Sequence, residues 1–379
     1  MEFSVNRNAF LTELNAVQRA ISTKTAIEIL TGLKLDLTDE GLTLTGSNAD
    51  ITIQTQLPVT APNADLIIDS TGSIVLPARF FSEIVKKLPE KTMKVTVNDH
   101  YQATITSGSA SFTINGLDAV NYPHLPEIDT AEQLTIAGDV LKQIISQTVI
   151  AVSKQESRPM LTGIHVTIHN GELLAVATDS HRLSQRKITL ATAPKVDYDI
   201  IVPGDALREL SRMLSDDDAQ LHLRVAENQI LFTWGTTAFY SRLLDGMYPE
   251  TSRLIPQDSS TQVEFNAGVL FQAIERASLL SHAGQNNVVK LELDTNAQRA
   301  TLSGNSPEVG NVEEELQFNS LSGEGIAISF NPDYMKDALR SFGQATIKLT
   351  FTQPLRPFTL VPSDDQGDFI QLITPVRTV

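Results

Sequence analysis

Six short amphipathic stripes recur along this chain in two alternating registers, and any fold has to seat all six in equivalent ways. The clearest copy is Ile74–Leu88, IVLPARFFSEIVKKL. It opens with an apolar, β-branched run that reads as a buried strand. Pro77 ends the run and can stand at a helix start. Apolar positions then recur four apart, at Phe80/Phe81, Ile84/Val85 and Leu88, with Arg79, Glu83, Lys86 and Lys87 off the stripe. That is one face of a helix.

The first series begins at Phe10/Leu11, Val140/Leu141 and Val269/Leu270, spaced by 130 and 129 residues. The second begins at Phe80/Phe81, Ala206/Leu207 and Tyr334/Met335, spaced by 126 and 128. The flanks repeat as well. Ser73–Pro77 (SIVLP) matches Asp199–Pro203 (DIIVP), with Ile326–Pro332 (IAISFNP) a looser third copy. Each first-series stripe is followed by alternating residues broken by short Gly, Asn and Asp turns, at 34–48, 165–179 and 290–304. This is hairpin grammar. LDAVNYPHLP (117–126) and LDGMYPETSRLIP (244–256) close the first two units. Fixed-period self-similarity is the mark of a repeat architecture. The expected fold class is therefore α+β, with three tandem domains at 1–128, 129–257 and 258–379, each with two helices packed on antiparallel sheets. No Gly/Ser-rich or Pro-rich linker separates them.

Composition narrows the function. No apolar run approaches the ~20 residues of a membrane span, and the N-terminus lacks a basic start followed by an apolar core. No membrane partner is expected. Cysteine is absent, which excludes disulfides, thiol catalysis and Cys-ligated zinc and fits a cytoplasmic protein. The net charge of −16 argues on its face against nucleic acid. Its distribution does not. The six expected helical segments, 7–20, 78–88, 138–150, 205–214, 267–282 and 333–342, sum to +3, leaving −19 on strands and loops. A helix-lined surface would be mildly basic inside an acidic shell and would touch phosphates without sequence preference.

Catalysis finds no support. Asp179, Ser180 and His181 tempt one toward a triad. Read as strand, however, they put Asp179 and His181 on one face and Ser180 on the other, whereas a triad needs Ser on the base and the base on the acid. Walker A, GxSxG, GxGxxG and HExxH patterns are absent. His165 and His169 lie four apart in a segment that reads as strand. No cofactor, metal or catalytic residue is expected. The alternative to nucleic-acid binding is a non-enzymatic protein-interaction scaffold that does not encircle DNA.

The tandem repeats, the N-terminal MEFSVNRNAFLTELNAVQRAI, ATDSHRL at 177–183 and the terminal QLITPVRTV at 371–379 together resemble the bacterial DNA polymerase III β subunits, the β sliding clamps, over the whole chain. The resemblance implies a DNA-clamp fold in which two protomers pair head to tail into a homodimeric ring. Helices would line the hole and a continuous sheet would form the outside. Twelve helices spaced about 9 Å apart make a circle roughly 34 Å across. Removing one helix diameter of about 10 Å leaves a bore of roughly 24 Å, enough for a duplex. Double-stranded DNA is held by topology, so an acidic shell does not prevent sliding. Three domains per chain set it apart from the two-domain archaeal and eukaryotic type.

The same resemblance implies residue roles. Phe112 falls on one side of the dimer joint, with Leu279 and Leu280 on the other. Lys24 and Gln155 match positions that approach DNA, and Arg79, Lys86 and Lys87 are further candidates. Partners dock through a short peptide, roughly Gln-Leu-x-Leu-Phe. They include the replicative polymerase, the clamp loader, repair polymerases and mismatch-repair proteins. The docking pocket carries over as Leu161, Thr178, His181, Arg182, Leu183, Pro249, Arg253, Leu254, Leu372, Thr374, Pro375, Val376 and Arg377. Ser180 stands where the family often has Gly. Thr374 and Val376 stand where Met is common, which implies a less adaptable pocket.

Overall fold

The computed structural model describes all residues except Thr23, 126–127, 129–131, 216–219, 282–286, 366 and 379. Pro126 of the first closing segment, His282 of the fifth expected helix and the terminal Val379 lie outside the described residues. The element order repeats three times. The first repeat runs β1 (Glu2–Asn6), α1 (Arg7–Gln18), β2 (Gly32–Thr38), β3 (Gly41–Ser47), β4 (Ile51–Pro58), β5 (Ile67–Ser70), β6 (Gly72–Pro77), α2 (Ala78–Lys87), β7 (Thr92–Val97), β8 (Gln102–Ser107) and β9 (Ala110–Asn115). The second runs β10 (Leu134–Ala137), α3 (Gly138–Thr148), β11 (Gly163–His169), β12 (Glu172–Thr178), β13 (Arg182–Thr189), β14 (Tyr198–Pro203), α4 (Gly204–Met213), β15 (Gln220–Val225), β16 (Gln229–Trp234) and β17 (Thr237–Arg242). The third runs β18 (Thr261–Asn266), α5 (Ala267–Ser281), β19 (Val289–Asp294), β20 (Arg299–Ser306), β21 (Gly310–Leu316), β22 (Ser320–Gly323), β23 (Ile326–Phe330), α6 (Pro332–Phe342), β24 (Thr346–Phe351), β25 (Phe358–Pro362) and β26 (Phe369–Ile373).

Every expected stripe is a helix. Local chemistry sets the ends. The Asn6 side chain accepts from the amides of Asn8 and Ala9 at the start of α1. Asn331 does the same for Asp333 at the start of α6, where Pro332 takes the first helical turn. Pro77 is the N-cap residue of α2, as its position predicts. Arg19 is the C-cap of α1 and not part of it. The observed helices therefore carry +2 rather than +3. Some apolar pairs go inward together, as Ile144 and Ile145 do, and others send in only one member. Phe81 is fully buried, but Phe80 is 66% exposed and Val269 is exposed too. Adjacent helical residues point about 100° apart, so where the buried face is narrow only one of a pair fits. Phe10 of α1 and Phe81 of α2 meet edge to face at 5.7 Å, which ties the first two helices together.

Contacts divide the chain into two units. The first holds Met1–Asp139 with Arg212–Leu243, and the second Val140–Ser211 with Leu244–Val379. The first contains a five-stranded sheet, β5-β1-β7-β8-β9, and an eight-stranded sheet, β10-β15-β16-β17-β4-β3-β2-β6. The second contains a nine-stranded sheet, β14-β11-β12-β13-β26-β25-β24-β18-β22, and a four-stranded sheet, β21-β20-β19-β23. The central segment, 129–257, thus gives strands to both units. In each unit one antiparallel pairing splices a repeat to the next. In the first unit it is β4 with β17, with Thr52 opposite Tyr240 and Ile53 opposite Phe239. In the second it is β13 with β26, with Leu183 opposite Leu372 and Ser184 opposite Gln371. No helix among the described residues is long and apolar enough to cross a membrane.

Candidate functional site

The second unit gathers most of the expected pocket residues around the turn between β12 and β13. The segment read as continuous strand is in fact this turn at 179–181. The carboxylate of Asp179 explains why. Its Oδ1 accepts from the amides of His181 and Arg182, at 3.0 and 3.1 Å. That is an Asx turn, a local alternative to ladder hydrogen bonds. The Thr178 hydroxyl donates to the Arg182 carbonyl at 2.7 Å and accepts from the Ser180 amide at 3.1 Å. Ser180 adopts φ 77°, the left-handed region that favours glycine. With the Asp179 carboxylate engaged by two amides and the Arg182 side chain, Asp179, Ser180 and His181 form no catalytic relay.

Arg182 then anchors the turn. Its Nε donates to Asp179 at 3.0 Å, its Nη1 donates to Asp337 of α6 at 2.8 Å, and its guanidinium lies 4.6 Å from the Tyr334 ring centroid. Charge and stacking fix a single Arg rotamer. Burial pushes the Tyr334 phenol above its ordinary value, with the nearby Asp179 charge adding to the shift. Beside this anchor lies an apolar floor of Val176, Leu183 and Leu372, with Leu174 and Ile255 packed on it. Thr178 and Leu161 are buried as well. Tyr248 closes one side. Its hydroxyl accepts from the Thr178 amide at 3.0 Å, and its ring stacks on His165 at 4.8 Å. His165 is held in turn by Asp199 at 2.8 Å. Burial drives the Tyr248 phenol well above its usual range, so it stays neutral.

The chain end runs alongside. The Thr374 amide donates to the His181 carbonyl, and the Val376 amide to the Ser329 carbonyl. Thr374, Pro375 and Val376 are half-buried. Beneath them the Gln371 amide nitrogen donates to Gln147 O, Ser184 Oγ and Ser341 Oγ. Pro249, Arg253 and Leu254 are exposed, and Arg253 pairs with Glu250 at 3.2 Å. Arg377 is exposed and, with Thr378, lines a different cavity with Asn287 and Lys290. The arrangement offers an apolar floor with a few fixed polar groups, which suits an apolar peptide end. Sequence reasoning passed over Leu174, Val176, Tyr248, Ile255, Tyr334 and Asp337 as site residues. Tyr248 had a signal, since a Tyr-Pro pair stands in both unit-closing segments, at 122–123 and 248–249.

The expected joint residues lie on different elements. Phe112 is 41% exposed on β9, an end strand of its sheet. Leu279 is 71% exposed in the last turn of α5, and Leu280 is half-buried. The DNA-facing candidates are all exposed: Lys24 and Gln155 on loops, Arg79, Lys86 and Lys87 on α2. Lys86 and Lys87 share Glu83, at 3.9 and 3.4 Å, which tempers their charge. No group of His and acidic residues among the described residues could hold a metal ion.

Three family patterns match in sequence order. They are the N-terminal, central and C-terminal domains of the DNA polymerase III beta subunit, over residues 1–126, 135–250 and 252–377. A beta sliding clamp of Bacillus subtilis is 45% identical over 379 residues, covering all of both chains. The crystal structure of a B. subtilis DNA polymerase sliding clamp superposes with a TM-score of 0.97 at 44% identity, again over all of both chains. The DNA polymerase III β subunit of Pseudomonas aeruginosa, at 25% identity, still gives 0.90 over the full lengths. With its three repeats matched in order and its whole length shared, this chain belongs to the β sliding clamps, the non-catalytic DNA-clamp subunits of DNA polymerase III.

Proposed function

We propose that two copies of this chain close head to tail around duplex DNA, and that each captures partner proteins by a short apolar peptide in the groove beside Arg182. One observation carries the ring. Repeats are spliced by β4 with β17 and by β13 with β26. The third-repeat counterpart of β4 and β13 is β21, and the first-repeat counterpart of β17 and β26 is β9. Each of these ends its sheet. An unpaired edge is a template for another strand. Pairing β21 of one copy with β9 of the next repeats the internal splice, and two such joints close a C2 ring. The helices, at +2 within a −16 chain, favour weak and sequence-independent phosphate contact. Lys24, Arg79, Lys86, Lys87 and Gln155 are the proposed DNA contacts.

The groove is the proposed dock for the polymerase, the clamp loader and repair proteins, with Leu161, Leu183, Leu372 and Val376 receiving the apolar peptide end. The test is titration of a fluorescent Gln-Leu-x-Leu-Phe-type peptide against the intact chain and against a chain ending at Thr374. Saturable binding to the first and loss of at least about tenfold, ~1.4 kcal/mol, with the second is expected. Equal binding to both would remove the C-terminal residues from the dock.

A further inference from the structure

The turn that builds the groove in the second unit is built a second time in the first. Asn48 stands for Asp179, and its Oδ1 accepts from the amides of Asp50 and Ile51 at 3.0 and 2.9 Å. Ser47 stands for Thr178. Its hydroxyl donates to the Ile51 carbonyl and accepts from the Ala49 amide, both at 3.2 Å. Ala49 stands for Ser180, with φ 79° against 77°. The neighbouring strand follows suit. Thr52 opposite Tyr240 reproduces Leu183 opposite Leu372. The Arg242 amide donates to the Asp50 carbonyl at 2.9 Å, as the Thr374 amide does to His181 at 2.9 Å. Leu30 precedes Thr-Gly as Leu161 does, and both leucines are buried. Tyr122-Pro123 matches Tyr248-Pro249.

The copy encloses a cavity of about 320 Å³, lined by Leu30, Tyr122, Leu125, Tyr240, Arg242 and Asp50 among others. That volume sits at the lower end of the ~300–1,000 Å³ usual for ligand sites and suits one or two side chains. Its chemistry differs from the first groove: Asp50 stands for His181 and Ile51 for Arg182, so the anchoring arginine has no counterpart here. Thr52 replaces Leu183, Tyr240 replaces Leu372, and Arg242 replaces Thr374. Tyr122 is 3% exposed, and its hydroxyl lies by the Ser47 backbone as that of Tyr248 lies by the Thr178 amide. The Arg242 side chain is exposed and makes no ion pair among the described residues.

We propose that this cavity is a second peptide site, specific for an apolar residue carrying a free C-terminal carboxylate. Leu30, Leu125 and the two tyrosine rings receive the side chain, and the Arg242 guanidinium takes the carboxylate in a two-pronged contact. Asp50 at the same cavity accepts from a peptide amide and disfavours acidic residues upstream. The proposal rests on the reading of the first groove as a peptide dock, because it argues from the likeness of the two.

The test is calorimetric titration of the full chain with acetyl-Gln-Leu-Ala-Leu-Phe bearing a free carboxylate, and with its C-terminal amide. Two sites per chain are expected for the acid. The weaker should lose about tenfold or more in Arg242→Ala and with the amide, while persisting in Val376→Asp, which disables the first groove. One site per chain, lost in Val376→Asp and unmoved by Arg242→Ala, overturns the second site and leaves the first reading standing. Binding that depends on Arg242 alone supports the second site and overturns the first. No binding to the intact chain overturns both.

Discussion

At the scale of single residues, the turn at 179–181 is where local chemistry overrode a pattern. Alternation from 177 to 183 reads as strand, but the Asp179 carboxylate captures two amides and forces a tight reversal. The clue was in the sequence, since Asn48 and Asp179 fall at the same point of two repeats and both residue types favour such turns. Ser180 bears the consequence. A residue with a Cβ in the left-handed region costs about 1–2 kcal/mol. Ser180→Gly removes that cost and adds about 0.5–1 kcal/mol of chain entropy in the unfolded state. A net stabilisation of about 0.5–1 kcal/mol is expected, read from the urea midpoint at unchanged slope. A loss of stability would mean that the Ser180 side chain contributes more than its backbone costs. Arg182 gives the opposite case. Its removal leaves the largely buried Asp179 carboxylate without its cation, while Asp337 keeps Arg340 at 3.3 Å. Breaking a largely buried ion cluster in this way should destabilise the chain by about 2–4 kcal/mol, somewhat less than a fully buried pair because Asp337 is partly solvated.

Elements were the most legible scale. Six helices and the hairpins after α1, α3 and α5 follow from periodicity alone, because burial on one face demands that periodicity. What escaped was which apolar pairs send only one member inward, as Phe80 shows, and which strands of different repeats pair, as β4 with β17 shows. The first depends on helix rotation against its neighbours and the second on long-range register. Neither is written in a local pattern. Of the apolar floor, Leu183 and Leu372 were carried over by resemblance and Val176 was not, whereas its Tyr248 wall and Asp337 anchor come from elements distant in sequence. One polar residue inside a helix also has a testable cost. Burial raises the carboxyl pKa of Glu13 in α1, partly offset by the hydroxyl of Thr55. The folded state therefore binds the proton more tightly than the unfolded state does. Stability falls as pH rises through the interval between the two values. Glu13→Gln should accordingly raise the melting temperature at neutral pH, and its advantage should shrink as the pH falls into the acid range. An advantage independent of pH would assign the effect to packing rather than to charge.

On the scale of the whole molecule, the internal splices make a sharp forecast for the joint. The hairpin β8–β9 sets Ile105 opposite Phe112, and β16–β17 sets Phe232 opposite Phe239. Phe112 and Phe239 thus occupy matching positions on matching strands. Phe239 pairs with Ile53 across the splice and is fully buried, whereas Phe112 is 41% exposed on an open edge. The same residue type at the same register should have the same destination, one inside the chain and the other between chains. A charge at either place would be buried without a partner. The two substitutions should nevertheless differ in outcome. Phe239→Asp loses an aromatic core side chain as well as burying charge, a cost of at least about 3–5 kcal/mol, and should leave little folded protein. Phe112→Asp should fold with near-native circular dichroism and appear in light scattering at 41.4 kDa, while the unmodified chain appears at about twice that mass. Leu279→Asp with Leu280→Asp should reproduce the monomer from the other side of the joint, and mixing the two monomeric variants should not restore a closed ring. If Phe112→Asp stays dimeric, β9 is not the strand that meets β21, and the head-to-tail closure falls with it.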